Sequence, residues 1–157
     1  MGNPSGITKR EQRLTVAELD ELVRDLASRP AEWITQVRLD SDGRWYQRIQ
    51  LSDQHEVWLI SWLPGQSTGF HDHGGSAGAF AVVWGSLEER NVGSSRVVDA
   101  GSARSFGPKY IHDVVNSSAG SVAVSVHAYS PPLSEMTRYT LTPDGLVSSG
   151  TESEEDW

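Results

Sequence analysis

Five histidines punctuate this chain, and two of them, His71 and His73, are separated by one residue. Along a strand alternate side chains share a face, so these imidazoles point the same way, with Asp72 opposed. Two imidazoles converging beside a glycine-rich bend are the beginning of a metal site. Imidazole suits iron, copper and zinc alike, so the ligands alone do not fix the metal. The sequence contains no cysteine, which removes both thiolate ligands and disulfides. A second alternating set, Ser125, His127 and Tyr129, presents three side chains to one side of a single strand. Without further context that set reads as a satisfied core histidine beside a packed tyrosine. His55 lies in the polar, turn-like stretch Asp53-Gln54-His55-Glu56 and reads as solvated.

The elements that must carry these residues are mostly short strands. From residue 45 onward, runs rich in Val, Trp, Tyr and Ile alternate with Gly, Pro, Ser and Asn. They predict strands at 45–51, 56–63, 69–73, 79–84, 86–91, 94–98, 103–106, 111–116, 122–129 and 136–141. Many short strands with frequent turn signals predict an antiparallel sandwich or barrel. One helix precedes them, over about 15–29. Thr15-Val16-Ala17-Glu18 is a capping box, Val16, Leu19, Leu22, Val23 and Leu26 recur at helical spacing, and Pro30 marks the stop. A single helix ahead of so many strands argues against a parallel α/β sheet. Trp58, Trp62 and Trp84 read as core rather than as a substrate cage.

A chain of 157 residues suits one domain. Residues 1–13 read as a flexible N-terminus, 14–147 as the single domain with its barrel over about 45–142, and 148–157 as a disordered acidic tail. With Lys plus Arg at 13 and Asp plus Glu at 21, the net charge is -8. That charge makes nucleic acid and anionic lipid poor partners. No apolar run approaches the roughly 20 residues of a membrane span, and no apolar h-region follows the N-terminus. The expectation is a cytoplasmic monomer that engages neither membrane nor nucleic acid.

Two blocks surround the histidines. The first runs from Gly65 through His71 and His73 to Gly85; the second runs from Gly101 through Pro108 and His112 to Asn116. They resemble the two cupin motifs, G-x5-H-x-H-x3/4-E-x6-G and G-x5-P-x-G-x2-H-x3-N. The resemblance implies an all-β cupin jelly-roll barrel with a short N-terminal helical segment, and His71, His73 and His112 as ligands of one metal in the barrel mouth. Three positions depart from the motifs. Gly78 stands where the motif has glutamate, Gly107 where it has proline, and Lys109 where it has glycine. Without the glutamate, three neutral imidazoles leave the metal its full charge and open positions.

More of the chain is similar to one branch of that fold. His71-Asp72-His73 with Ser76, Gly85-Ser86-Leu87-Glu88-Glu89, Ile111-His112-Asp113-Val114-Val115-Asn116 and Ser125-Val126-His127-Ala128-Tyr129-Ser130-Pro131-Pro132 resemble a bacterial cysteine dioxygenase. Tyr46-Gln47-Arg48 resembles that family's Tyr-x-Arg. The resemblance implies one Fe(2+) per chain and a reaction in which O2 converts L-cysteine to cysteine sulfinic acid, a step of cysteine catabolism. It implies that Arg48 clamps the substrate carboxylate and that Ser125, His127 and Tyr129 form a hydrogen-bond relay whose tyrosine meets substrate and oxygen. Some members carry a cysteine crosslinked to the tyrosine at the position of Gly78; here Tyr129 must act unmodified. Arg44 is expected at the strand entrance, outside the site. Two alternatives stay open: a dioxygenase of another small thiol, such as 3-mercaptopropionate or ergothioneine, and a cupin that binds metal or ligand without turnover.

Overall fold

The computed structural model describes residues 13–153. Helix α1, Val16–Ala27, begins at the expected capping box: the Thr15 side chain accepts from Glu18 N, and the Glu18 side chain accepts from Thr15 N. It ends at Ser28, and two 3-10 turns, Pro30–Glu32 and Ile34–Gln36, lead into the strands.

Eleven strands follow among the described residues: β1 (Trp45–Leu51), β2 (Glu56–Trp62), β3 (Phe70–His71), β4 (Ala77–Trp84), β5 (Ser86–Asn91), β6 (Ser94–Asp99), β7 (Ala103–Phe106), β8 (Asp113–Val115), β9 (Ala123–Ser130), β10 (Glu135–Thr142) and β11 (Gly145–Ser153). They form a five-stranded sheet in the order β1-β2-β9-β4-β7 and two three-stranded sheets, β11-β10-β3 and β6-β5-β8. Every pairing is antiparallel. The two small sheets meet at isolated bridges, Ser67 with Val115 and His71 with His112. The fold is the jelly-roll barrel of the cupins.

The five-stranded sheet separates two cores. Its outer face carries Val57, Leu59, Ala77, Ala79, Ala81, Val124, Val126 and Ala128, which pack against Leu19, Val23 and Leu26 of α1. Alanines on β4 let the helix approach closely, and each buried leucine or valine of α1 contributes about 2 kcal/mol. The inner face carries Ile60, Trp62, Phe80, Val82 and Tyr129 into the barrel. Strand alternation thus sends Val124, Val126 and Ala128 to the helix and Ser125, His127 and Tyr129 to the interior.

The chain departs from the sequence reading at its C-terminal end. Residues 148–153, expected in a disordered tail, are part of β11, which pairs with β10 along its whole length. Thr142-Pro143-Asp144-Gly145 is the turn signal that announces this hairpin. Residues 1–12 of the expected flexible N-terminus and 154–157 of the tail lie outside the described residues. No helix among the described residues is long and apolar enough to cross a membrane.

Candidate metal centre

Strand β3 is shorter than the sequence predicts. It covers only Phe70–His71, so His73 stands beyond it in a turn. Asp72 shapes that turn. Its Oδ1 accepts from Gly74 N at 3.0 Å and Thr137 N at 3.1 Å, and its Oδ2 accepts from the Tyr139 hydroxyl at 2.7 Å. The charge between the two histidines therefore anchors the loop to β10.

His112 arrives from the opposite side. His71 N donates to His112 O at 3.0 Å, and His112 N donates to His71 O at 3.1 Å. The second block is held to the first at its outer end too: Gly65 N donates to Asn116 O at 2.8 Å, and the Asn116 amide donates to Trp62 O and Ser121 O. Lys109, at the motif's glycine position, takes the left-handed conformation that glycine adopts freely, with φ 67°.

The result is a compact, buried cluster. His71, His73 and His112 place one ring nitrogen each within 4.8 Å of one another. Each ring is held differently. His71 Nδ1 donates to Gly69 O at 2.9 Å. His112 Nδ1 faces Glu89 Oε2 at 2.9 Å. His73 stacks on Phe106, centroids 4.8 Å apart, and on Tyr129, 5.2 Å apart, and its buried Nδ1 has no partner among the described residues. Burial, reinforced by the neighbouring imidazoles, holds His71 and His73 well below the ordinary histidine value, so both are neutral ligands at neutral pH.

These residues fit a divalent metal. His71 Nε2 and His73 Nε2 lie 3.0 Å apart. His71 Nε2 presents a lone pair, which accepts a proton from His73 Nε2 in one tautomer of His73; with both nitrogens unprotonated, 3.0 Å is also the spacing of two nitrogens binding one cation at right angles from about 2.1 Å each. Glu89 supplies the support that such ligands receive from outside the coordination shell. It is fully buried, and accepts from Arg104 Nε at 2.8 Å on its other oxygen. Burial pushes its carboxyl upward, but the hydrogen bonds from His112 and Arg104 prevail and hold it below the usual value. Glu89 occurs in the sequence only within Gly85-Ser86-Leu87-Glu88-Glu89; the signal for its role is alternation, which puts Leu87 and Glu89 inside and Glu88 outside.

No carboxylate joins the three histidines among the described residues. Gly78, at the motif's glutamate position, pairs in register with Tyr129. A Cβ there would come within 2.6 Å of Phe106 Cε2 and 2.9 Å of Tyr129 Cδ1. Phe106 occupies the volume that a fourth ligand would need.

A cavity of roughly 270 Å³ opens beside the cluster. Its walls include His71 and His112 with Tyr46, Trp58, His127 and Tyr129, and two arginines, Arg44 and Arg138. Ser125 and His127 meet at 2.7 Å, and Trp62 Nε1 donates to Ser125 Oγ at 2.8 Å. The serine proton is then free for His127 Nε2, which places the imidazole proton on Nδ1. Burial above all, helped by Arg44 and His112, lowers His127 to about 3. Burial raises the Tyr129 phenol above its ordinary value, so it remains a donor. No hydrogen bond joins His127 to Tyr129 among the described residues; of the three residues expected in a relay, the structure joins Ser125 to His127 and leaves Tyr129 outside that hydrogen bond.

The two arginines near β1 exchange the places expected of them. Arg48 does not line the cavity. Its guanidinium pairs with buried Glu56 at 3.4 Å, sits 5.5 Å over the Trp58 ring and is 43% exposed. Arg44 lines the cavity, 5.3 Å over the Trp62 ring. Burial lowers its guanidinium below the ordinary arginine value, and no described carboxylate forms an ion pair with it. Arg48 lies on β1 and Arg44 just before its first residue, an even number of positions apart, so alternation could not separate them; Glu56, which accepts from Leu133 N on its second oxygen, decides the matter by taking Arg48. Of the tryptophans read as core, Trp62 is fully buried, Trp58 lines the cavity and Trp84 is 66% exposed.

The family described as cysteine dioxygenase type I matches residues 7–142. Solved structures share the fold. TT1209 from Thermus thermophilus is 22% identical with a TM-score of 0.58, over 63% of this chain and 94% of that one. A protein with a double-stranded β-helix domain from Klebsiella pneumoniae is 18% identical with a TM-score of 0.58, over 74% and 93%. An RmlC-like cupin from Desulfovibrio desulfuricans is 17% identical with a TM-score of 0.55, over 61% and 90%.

Proposed function

This chain belongs to the cysteine dioxygenase type I family, and from that premise we propose that it is an iron-dependent thiol dioxygenase converting L-cysteine and O2 to cysteine sulfinic acid. The observation that carries the reading is a three-imidazole cluster opening onto a cavity whose wall holds an arginine with no counter-ion among the described residues. His71, His73 and His112 would hold the metal. Iron, when bound, supplies the one-electron chemistry that lets a thiol react with O2. The overall step balances without a cosubstrate: the sulfur gives up four electrons, O2 accepts them, and both oxygen atoms end on sulfur.

The chain's own residues bind, orient and exclude water. Arg44 receives the substrate carboxylate, because a half-buried guanidinium is costly without an anion. This assigns the clamp to Arg44 in place of Arg48. Tyr129 keeps its proton and offers a hydroxyl donor to the reacting groups, where a fixed donor is worth far more than water. Ser125 and Trp62 fix the His127 ring, and the aromatic wall keeps bulk water from the thiol. A cavity of roughly 270 Å³ leaves room for a bulkier carboxylated thiol than cysteine.

The test is oxygen uptake by the iron-loaded protein with L-cysteine, 3-mercaptopropionate and cysteamine. The reading expects one O2 consumed per cysteine and little uptake with cysteamine, which lacks the carboxylate. Tight metal binding with no uptake on any thiol would make the protein a non-catalytic cupin.

A further inference from the structure

Two guanidiniums face one cavity, and they are not equivalent. Arg44 has no counter-ion among the described residues, whereas Arg138 Nε donates to Glu152 Oε1 at 2.7 Å. Arg138 also donates through Nη1 to Thr68 O at 2.8 Å, and in the β10–β3 pairing it stands opposite the metal-cluster residue His71. Glu152 is carried by β11, the strand hidden in a stretch that reads as a tail, and it too lines the cavity. Both partners are about one-third exposed, at 32% and 34%. The pair stands where an incoming ligand meets it.

The charges of the wall can be counted. Arg44 and Arg138 are cationic, Glu152 is anionic, and His127 and Tyr129 are neutral. One cation of the wall has no ion-pair partner among the described residues, and it is Arg44, on which Asp113 acts only from beyond ion-pair distance. A thiol with one carboxylate satisfies it. A thiol with two carboxylates must bring the second against Glu152 or break the Arg138–Glu152 pair. We propose that Glu152 is a specificity-determining residue: it occupies Arg138 as an internal anion and restricts the cavity to thiols carrying a single carboxylate. This rests on the reading that Arg44 receives a substrate carboxylate.

The test compares anaerobic binding of mercaptosuccinate, with two carboxylates, and 3-mercaptopropionate, with one, by calorimetry on the iron-loaded protein. Glu152→Gln keeps the size of the side chain and an oxygen acceptor for Arg138. It should improve mercaptosuccinate binding relative to 3-mercaptopropionate by about two- to fivefold, the scale of one partly exposed charge pair. The gain should disappear in Glu152→Gln/Arg138→Gln and shrink as salt rises. An unchanged ratio with both acids bound would overturn the role of Glu152 alone. Failure of 3-mercaptopropionate to bind the wild type would overturn the Arg44 reading and the proposal with it. The readout is binding, so a protein that binds these thiols without consuming oxygen still tests the filter.

Discussion

His71 and His112 exchange both backbone hydrogen bonds, at 3.0 and 3.1 Å, so two metal-cluster side chains spring from one antiparallel bridge. The backbone sets their separation, whatever the side chains do. His112→Ala should therefore keep the fold, unchanged in circular dichroism, and lose the metal. Glu89→Gln removes the charge behind His112 Nδ1, together with the counter-ion of Arg104, and should weaken metal affinity about 10- to 100-fold. Competition with a chelator measures both. Wild-type affinity in His112→Ala would remove that histidine from the site.

Arg44 and Arg48 lie close in sequence and differ in their partners. Arg44→Ala should raise the apparent binding constant for cysteine by about 2–4 kcal/mol, the cost of a lost charged hydrogen-bond pair. Arg48→Ala should leave cysteine kinetics nearly unchanged and lower stability, since buried Glu56 loses its cation. Steady-state kinetics and urea unfolding on both variants decide between them; the opposite pattern returns the clamp to Arg48.

Much of this site was legible because it rests on spacing. Two histidines either side of Asp72, a third shortly before Asn116, and an alternating Ser125, His127 and Tyr129 are patterns a sequence displays. The fold was legible for the same reason, since alternation and turn signals place strands with little help from distant contacts. What escaped depends on which side chains pair between strands. Glu56 claims Arg48 across a hairpin, and Glu89 finds His112 from a different strand. Strand β11 escaped because Ser148, Ser149, Thr151, Glu152 and Ser153 look like a solvated tail until β10 supplies hydrogen bonds.

Tyr129 stacks on His73 and keeps its proton. Tyr129→Phe should retain metal and fold while lowering turnover about 10- to 1000-fold, the range of a lost hydrogen-bonding or acid–base group. Metal content and oxygen uptake on the same preparation check it. Undiminished turnover would make Tyr129 a packing residue only.

His127 is lowered to about 3 by burial, against an unfolded value near 6.5. Between these values the unfolded chain binds the proton and the folded chain does not. Stability from this group is therefore complete above about pH 6.5 and is lost as pH falls toward 3, at up to about 1.4 kcal/mol per pH unit. Urea unfolding of the metal-free protein across that window should show the slope. His127→Asn should reduce it by about one proton; an identical slope would mean His127 titrates alike in both states.

The central claim is that both atoms of O2 reach the sulfur of a thiol held in this cavity. Labelling with 18O2 tests it most directly: iron-loaded protein is given L-cysteine and labelled oxygen in ordinary water, and the product is weighed by mass spectrometry. The account predicts cysteine sulfinic acid with both sulfinate oxygens labelled. A product carrying oxygen from water, or cystine alone, would contradict it.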